Sequence, residues 1–277
     1  MQSYSYAEFR ELDPKARAAY LAKLGELVDD FRLREAGTKS SLPRFEHKQS
    51  GIEFTLIPGG SFTLGLTNAE EKAASAIANP PPLNVSELRP AKKTSVSSFL
   101  LSTKPILFGE IKKLFGGSYL SDSYVENVDK DFPAYVQRDA AMEIARSLGC
   151  HLPREAEWEY ACRANTTTLF VWGNKLLADA ELSKWLDLER FDQLKSNAFG
   201  LRALFSGDWC LDEWKPSHKE DERAVPGVFT IKGGGSFFWP WQDSGEWIWC
   251  MPANRMPSTN LLENGRCGFR LVRNLPA

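Results

Sequence analysis

Histidine and methionine are scarce in this chain of 277 residues, three and four in number, and no two cysteines carry the Cys-x-x-Cys spacing of a zinc or dithiol site. The three histidines, His47, His151 and His218, stand far apart, so no histidine-based metal motif is legible. The five cysteines, Cys150, Cys162, Cys210, Cys250 and Cys267, are scattered. An odd count with no basic start and apolar run at the beginning implies free thiols and a cytoplasmic protein. A basic surplus is missing as well: 34 Lys and Arg against 36 Asp and Glu give a net charge of −2. That balance speaks against a nucleic-acid partner, whose phosphates need neutralising. No stretch approaches the roughly 20 apolar residues that span a bilayer, so no membrane partner is expected. Repeats, low-complexity runs, a Ser-His-Asp set and a phosphate loop are absent too.

What is present is an ordinary soluble composition, 43% hydrophobic, punctuated by 16 Pro, 20 Gly and 9 Trp. Such punctuation indicates an irregular α+β domain rather than a helical bundle. Asp13-Pro14 marks a helix start, with Ala16, Tyr20, Leu24, Leu27 and Phe31 recurring at helical spacing. This helix is expected to run toward Gly37, making residues 1–37 an amphipathic extension followed by a polar linker over 38–50. It packs on its own domain or serves as an attachment point for a larger assembly. Strands are expected at 52–57, 61–65 and 95–101, and helices at 68–78, 105–115, 139–148 and 179–189. The segment 116–131 reads as loop. Pro153 followed by Glu155, Glu157 and Glu159 predicts another helix, since acidic residues favour the positive end of the helix dipole.

A set of ordered motifs then carries a resemblance. They are Leu152-Pro153-Arg154-Glu155-Ala156-Glu157-Trp158-Glu159-Tyr160-Ala161-Cys162-Arg163, Trp172-Gly173-Asn174, Asn197-Ala198-Phe199-Gly200-Leu201 and Trp209-Cys210-Leu211-Asp212-Glu213-Trp214. Lys232-Gly233-Gly234-Gly235-Ser236, Asn254-Arg255 and Gly268-Phe269-Arg270-Leu271-Val272 complete the series. Together they resemble the formylglycine-generating enzyme family over a domain spanning 51–277. The resemblance implies an irregular variant of the C-type-lectin fold. It further implies a copper-dependent oxidase that converts a substrate cysteine to formylglycine, holding Cu(I) between two thiolates shortly after the Gly-Gly-Ser motif.

The chain departs from that pattern where the chemistry would lie. Only Cys250 follows the glycine run closely, with Cys267 further on. These two are the candidate ligands if an oxidoreductase survives, acting on a cysteine-containing or small-molecule substrate. The calcium turn implied by the resemblance is shortened, leaving Asp208 as its one candidate ligand. Both metal motifs are therefore eroded. Aromatic residues occupy the region instead, and Trp239, Trp241, Gln242, Trp247, Trp249, Asn254, Arg255 and Asn260 are the candidate ligand-binding residues. Large aromatics among hydrogen-bonding groups suit recognition of a peptide, glycan or protein partner. A non-catalytic binding or accessory module is the preferred reading. The alternatives are the oxidoreductase and a ligand-binding protein diversified by a retroelement.

Overall fold

The computed structural model describes residues 4–77, 83–120, 129–242, 245–259 and 267–276. Three antiparallel sheets organise it. The largest runs in the order β1 (Phe31–Glu35), β2 (Arg44–His47), β3 (Glu53–Ile57), β6 (Phe99–Ser102), β10 (Val272–Asn274). A two-stranded ladder pairs β4 (Gly60–Leu64) with β5 (Lys92–Val96). A three-stranded sheet joins β7 (Asp208–Glu213), β8 (Val228–Lys232) and β9 (Arg255–Thr259). Residues of β6 are buried throughout, and with Phe54, Leu56 and Ile57 of β3 they form the apolar centre. Buried on both faces, β6 reads as a nearly continuous apolar run, while the alternating β3 buries the polar Thr55 as well.

The beginning of the chain is built differently from the expected single helix. Ser5 caps α1 (Tyr6–Glu11) and Asp13 caps α2 (Pro14–Leu27) by accepting from the amides of Lys15 and Ala16. The chain then leaves the helix at Val28, and Phe31 opens a strand. Phe31-Arg32-Leu33-Arg34 alternates with a period of two, a signal that the helical count through Leu27 and Phe31 had absorbed. The expected linker likewise contains β2, which pairs with both β1 and β3. Residues 1–50 thus supply two strands of the main sheet. The apolar stripe of α2 is used internally, with Tyr20, Leu21 and Leu24 buried against the core.

The other expected elements fall close to their anticipated places. These are α3 (Asn68–Ser75), α4 (Phe108–Phe115), α5 (Arg138–Ser147), α6 (Glu155–Arg163) and α7 (Asp179–Leu186). One expected strand, over 95–101, is two, β5 and β6. The 179–189 helix ends at Leu186 and continues as a 3₁₀ segment, Leu188–Gln193. Helix α6 is central: it packs against β4, β5, β7 and β8. Its amide ends are satisfied by acid, since the Arg154 N–H donates to Glu157 at 2.7 Å and the Glu155 N–H to Asp212 at 2.6 Å. Among the described residues, no helix is long and apolar enough to cross a membrane.

Candidate functional site

The signature helix carries charge into the core. Glu159 is wholly buried; it accepts from Lys232 Nζ at 2.9 Å, from Arg163 at 2.9 Å and from the Gly65 N–H at 2.9 Å. Arg163 also reaches Glu70 at 2.6 Å. One turn earlier, Glu155 pairs with Arg255 at 2.9 Å, lies 3.8 Å from Lys232, and faces His218 at 3.4 Å. The chain of charges ties α6 to α3, β8 and β9, so these motif residues build the frame.

Burial alone would raise the Glu155 carboxyl. The hydrogen bond with His218 and the charges of Lys232 and Arg255 outweigh it and hold the group at about 2. A carboxylate depressed in the folded state contributes stability that is present above its unfolded value and lost as pH falls through the folded one. The stability gap between this protein and Glu155→Gln is therefore expected to narrow as pH drops from about 5 toward 3. Urea unfolding of both proteins across that range checks it, and a gap independent of pH would contradict it.

Asp208 belongs to the same frame. Wholly buried at the start of β7, its Oδ2 accepts from Trp158 Nε1 at 2.8 Å and from Arg270 Nε at 2.9 Å. Oδ2 is thus committed to Trp158 and Arg270, while Oδ1 is buried with no hydrogen-bond partner among the described residues. All five cysteines are free and buried. Burial pushes the Cys250 and Cys267 thiols well above their usual range. Among the described residues, no three His, Cys, Asp or Glu side chains gather as a metal site.

The glycine run explains how the final segment lies so close to this frame. A Cβ on Gly233, whose φ is +71°, would stand 2.5 Å from the Leu204 carbonyl oxygen. One on Gly235 would collide with Cys250 Sγ. With no side chains there, the backbone lies flat on Leu204 and Cys250 and turns through two 3₁₀ segments, Gly235–Phe237 and Glu246–Cys250. The expected binding residues then divide. Trp247 is wholly buried, edge-on to Phe170 at 5.8 Å. Arg255 is buried too, its guanidinium 4.2 Å from the centre of the Trp214 ring as it pairs with Glu155. Both therefore pack inside, which corrects their assignment as ligand-binding residues.

Trp239 and Trp241 are half-buried and edge-on at 5.4 Å, and Trp241 Nε1 donates to the Gly235 carbonyl at 3.2 Å. Trp249 is half-buried and stacks on Phe238 at 5.7 Å; Asn254 is half-buried and Gln242 exposed. Asn260 lies outside the described residues.

Of these, Trp239 lines a cleft of ≈ 740 Å³. Ser236, Phe237, Trp239 and Pro240 form one wall. Facing them are Phe132 and Tyr135 from the segment before α5, and residues 186–189 where α7 passes into the 3₁₀ turn. Tyr135 meets Phe237 edge-on at 6.1 Å. Ser236 Oγ is buried without a hydrogen-bond partner among the described residues. The charged residues in the lining, Asp187 and Glu189, are both acidic. Sequence reasoning missed the second wall, because Phe132 and Leu186 belong to separate segments that carry no shared motif.

Residues 39–275 match the model of the sulfatase-modifying factor enzyme 1-like domain. The chain belongs to this family. A sulfatase-modifying-factor-like domain is thus what the α6 frame and the glycine run build. Among curated relatives, the formylglycine-generating enzyme of Mycobacterium tuberculosis is 28% identical over 167 residues, 48% of this chain and 54% of that protein. The uncharacterized protein YfmG of Bacillus subtilis is 23% identical across 93% of this chain and 61% of its own length. The chain therefore spans less than two thirds of either relative. In structure it is similar to PvdO from Pseudomonas aeruginosa, with a TM-score of 0.60 at 16% identity, covering 84% of this chain and 98% of that one. Treponema denticola variable protein 1 is similar at a TM-score of 0.53 and 15% identity, covering 87% and 98% respectively. At those identities the likeness is one of fold.

Proposed function

We propose that this chain is a non-catalytic recognition module on the sulfatase-modifying-factor scaffold, taking a segment of a protein or peptide in the cleft beside Trp239. The observation that carries this reading is the cleft's make-up. Four aromatic rings and a Ser236 hydroxyl with no partner among the described residues line it. Half-buried aromatics supply contact area at small entropic cost and anchor side chains inserted between them. The acidic pair Asp187 and Glu189 favours a partner carrying Lys or Arg next to an aromatic or aliphatic side chain. The same pair repels phosphate, in keeping with the net charge of −2.

Selection of a random peptide library displayed on phage tests the proposal. Enriched peptides are expected to combine basic and apolar residues, and Trp239→Ala is expected to weaken their binding by about tenfold or more, the scale of an aromatic anchor. A selection that enriches nothing, or peptides indifferent to Trp239→Ala, would sink it.

A further inference from the structure

A second pocket, ≈ 300 Å³ in volume, opens where the β4–β5 ladder meets the end of α6, and none of its lining residues belongs to the aromatic cleft. Half-buried Phe62 gives it an aromatic wall, backed by the buried Tyr160 ring, the two centres 5.4 Å apart and inclined at 55°. Its floor holds Arg163 and Glu70, both buried. The guanidinium is fully committed: Nη1 donates to Glu70 at 2.6 Å, Nε to Glu159 at 3.0 Å and Nη2 to the Gly65 carbonyl at 3.2 Å. The other oxygen of Glu70 takes the N–H and the hydroxyl of Thr67, each at 2.8 Å. Charge therefore cancels within the floor, which leaves nothing there to attract an ion.

The walls are different. The hydroxyls of Thr63 and Thr167 and the amide of Asn165 line the pocket, and none makes a hydrogen bond among the described residues. Asn165 has a φ of +70°, a conformation asparagine tolerates, and this turn after α6 brings Asn165 and Thr167 to the opening. Lys93, across the ladder from Thr63, is exposed at the rim.

We propose that this pocket binds a neutral polyol of monosaccharide size. A sugar ring offers an apolar C–H face to lay on Phe62, and hydroxyls that both donate and accept for Thr63, Thr167 and Asn165. The volume is at the lower end of the ~300–1,000 Å³ range of ligand sites, room for one ring and too little for a peptide. A charged ligand would find its counter-charge already paired in the floor.

Saturation-transfer NMR of the full chain tests this with methyl α-D-glucopyranoside, methyl α-D-mannopyranoside and methyl α-D-galactopyranoside as probes. At least one is expected to receive transfer to its ring protons. Phe62→Ala, and separately the pair Thr63→Val with Thr167→Val, are expected to weaken that binding by about tenfold. The valines keep the branched shape of threonine, so a loss in that variant reports the hydroxyls rather than the fold. The proposal is overturned by absence of transfer to all three glycosides, or by transfer unchanged in both variants. Tighter binding of glucose 6-phosphate than of the neutral glycosides would overturn it too, since Lys93 would then define an anion site.

Discussion

A chain lacking residues 1–37 is expected to lose its cooperative thermal transition and its soluble yield. The segment buries Phe9, Tyr20, Leu21, Leu24, Val28 and Phe31, none more than 8% exposed. Phe31 alone stands edge-on to Phe54 of β3 at 4.9 Å. Each such side chain is worth about 1.5–3 kcal/mol of burial, so their sum rivals the whole 5–15 kcal/mol by which folded domains are stable. Part of that loss is offset because the deleted residues no longer pay for being ordered. The faces they covered on β2 and β3 still remain, now in water, and β2 becomes an open sheet edge prone to aggregation. Circular dichroism melts of the two proteins measure the effect. A truncated chain that melts at the temperature of the full one would show residues 1–37 to be an appendage after all.

Lys232→Met is expected to destabilise the protein by about 3–5 kcal/mol, the usual cost of removing one partner from a buried ion pair. The ammonium is wholly buried, 2.9 Å from Glu159 and 3.8 Å from Glu155. Its loss leaves Glu159 with Arg163, which already shares its charge with Glu70, and Glu155 with Arg255. Adding Glu159→Gln to Lys232→Met removes the stranded charge, so the double variant should be less destabilised than the two single costs combined. Urea unfolding of the four proteins in the cycle gives the coupling directly. Additive effects, or a Lys232→Met cost below about 0.5 kcal/mol, would mean that Lys232 is incidental to the frame.

Much of the fold was legible because local signals and tertiary packing agree in it. The proline, acid and tryptophan order of 153–163 specifies α6, and the same residues carry the buried charges that hold it. Where the reading failed, two periodicities overlapped. Phe31 completes a helical stripe when counted from Leu27 and begins a strand when counted toward Leu33, and only pairing with β2 decides between them. β2 itself, Arg44–His47, has two charged residues in four, and its strand character comes from being laid between β1 and β3.

The site was legible by half. The glycine run and the tryptophans after it could be found by position, but their orientation could not. Trp247 and Trp249 are two residues apart, yet one is sealed in the core and the other stacks on Phe238 at the surface, because the 3₁₀ turn sets their directions. Arg255 was read as a ligand contact from its place in a motif; its partner, Glu155, is one hundred residues earlier. The opposite wall of the cleft needed the three-dimensional arrangement, since Phe132, Tyr135 and Leu186 carry no sequence sign of facing Phe237. Asp208 illustrates the reverse case. Its carboxylate looked like an isolated metal ligand, and its real counter-charge, Arg270, comes from the far end of the chain.

The most direct test of the recognition cleft is indole NMR. The ¹⁵N-labelled Nε1 signals of the nine tryptophans are followed while a peptide enriched on this protein is titrated in. The cleft account predicts that the Trp239 indole signal shifts progressively and saturably, while those of the buried Trp158, Trp209 and Trp247 stay in place. Saturable binding that leaves the Trp239 signal unmoved would place the recognition surface elsewhere and contradict the account.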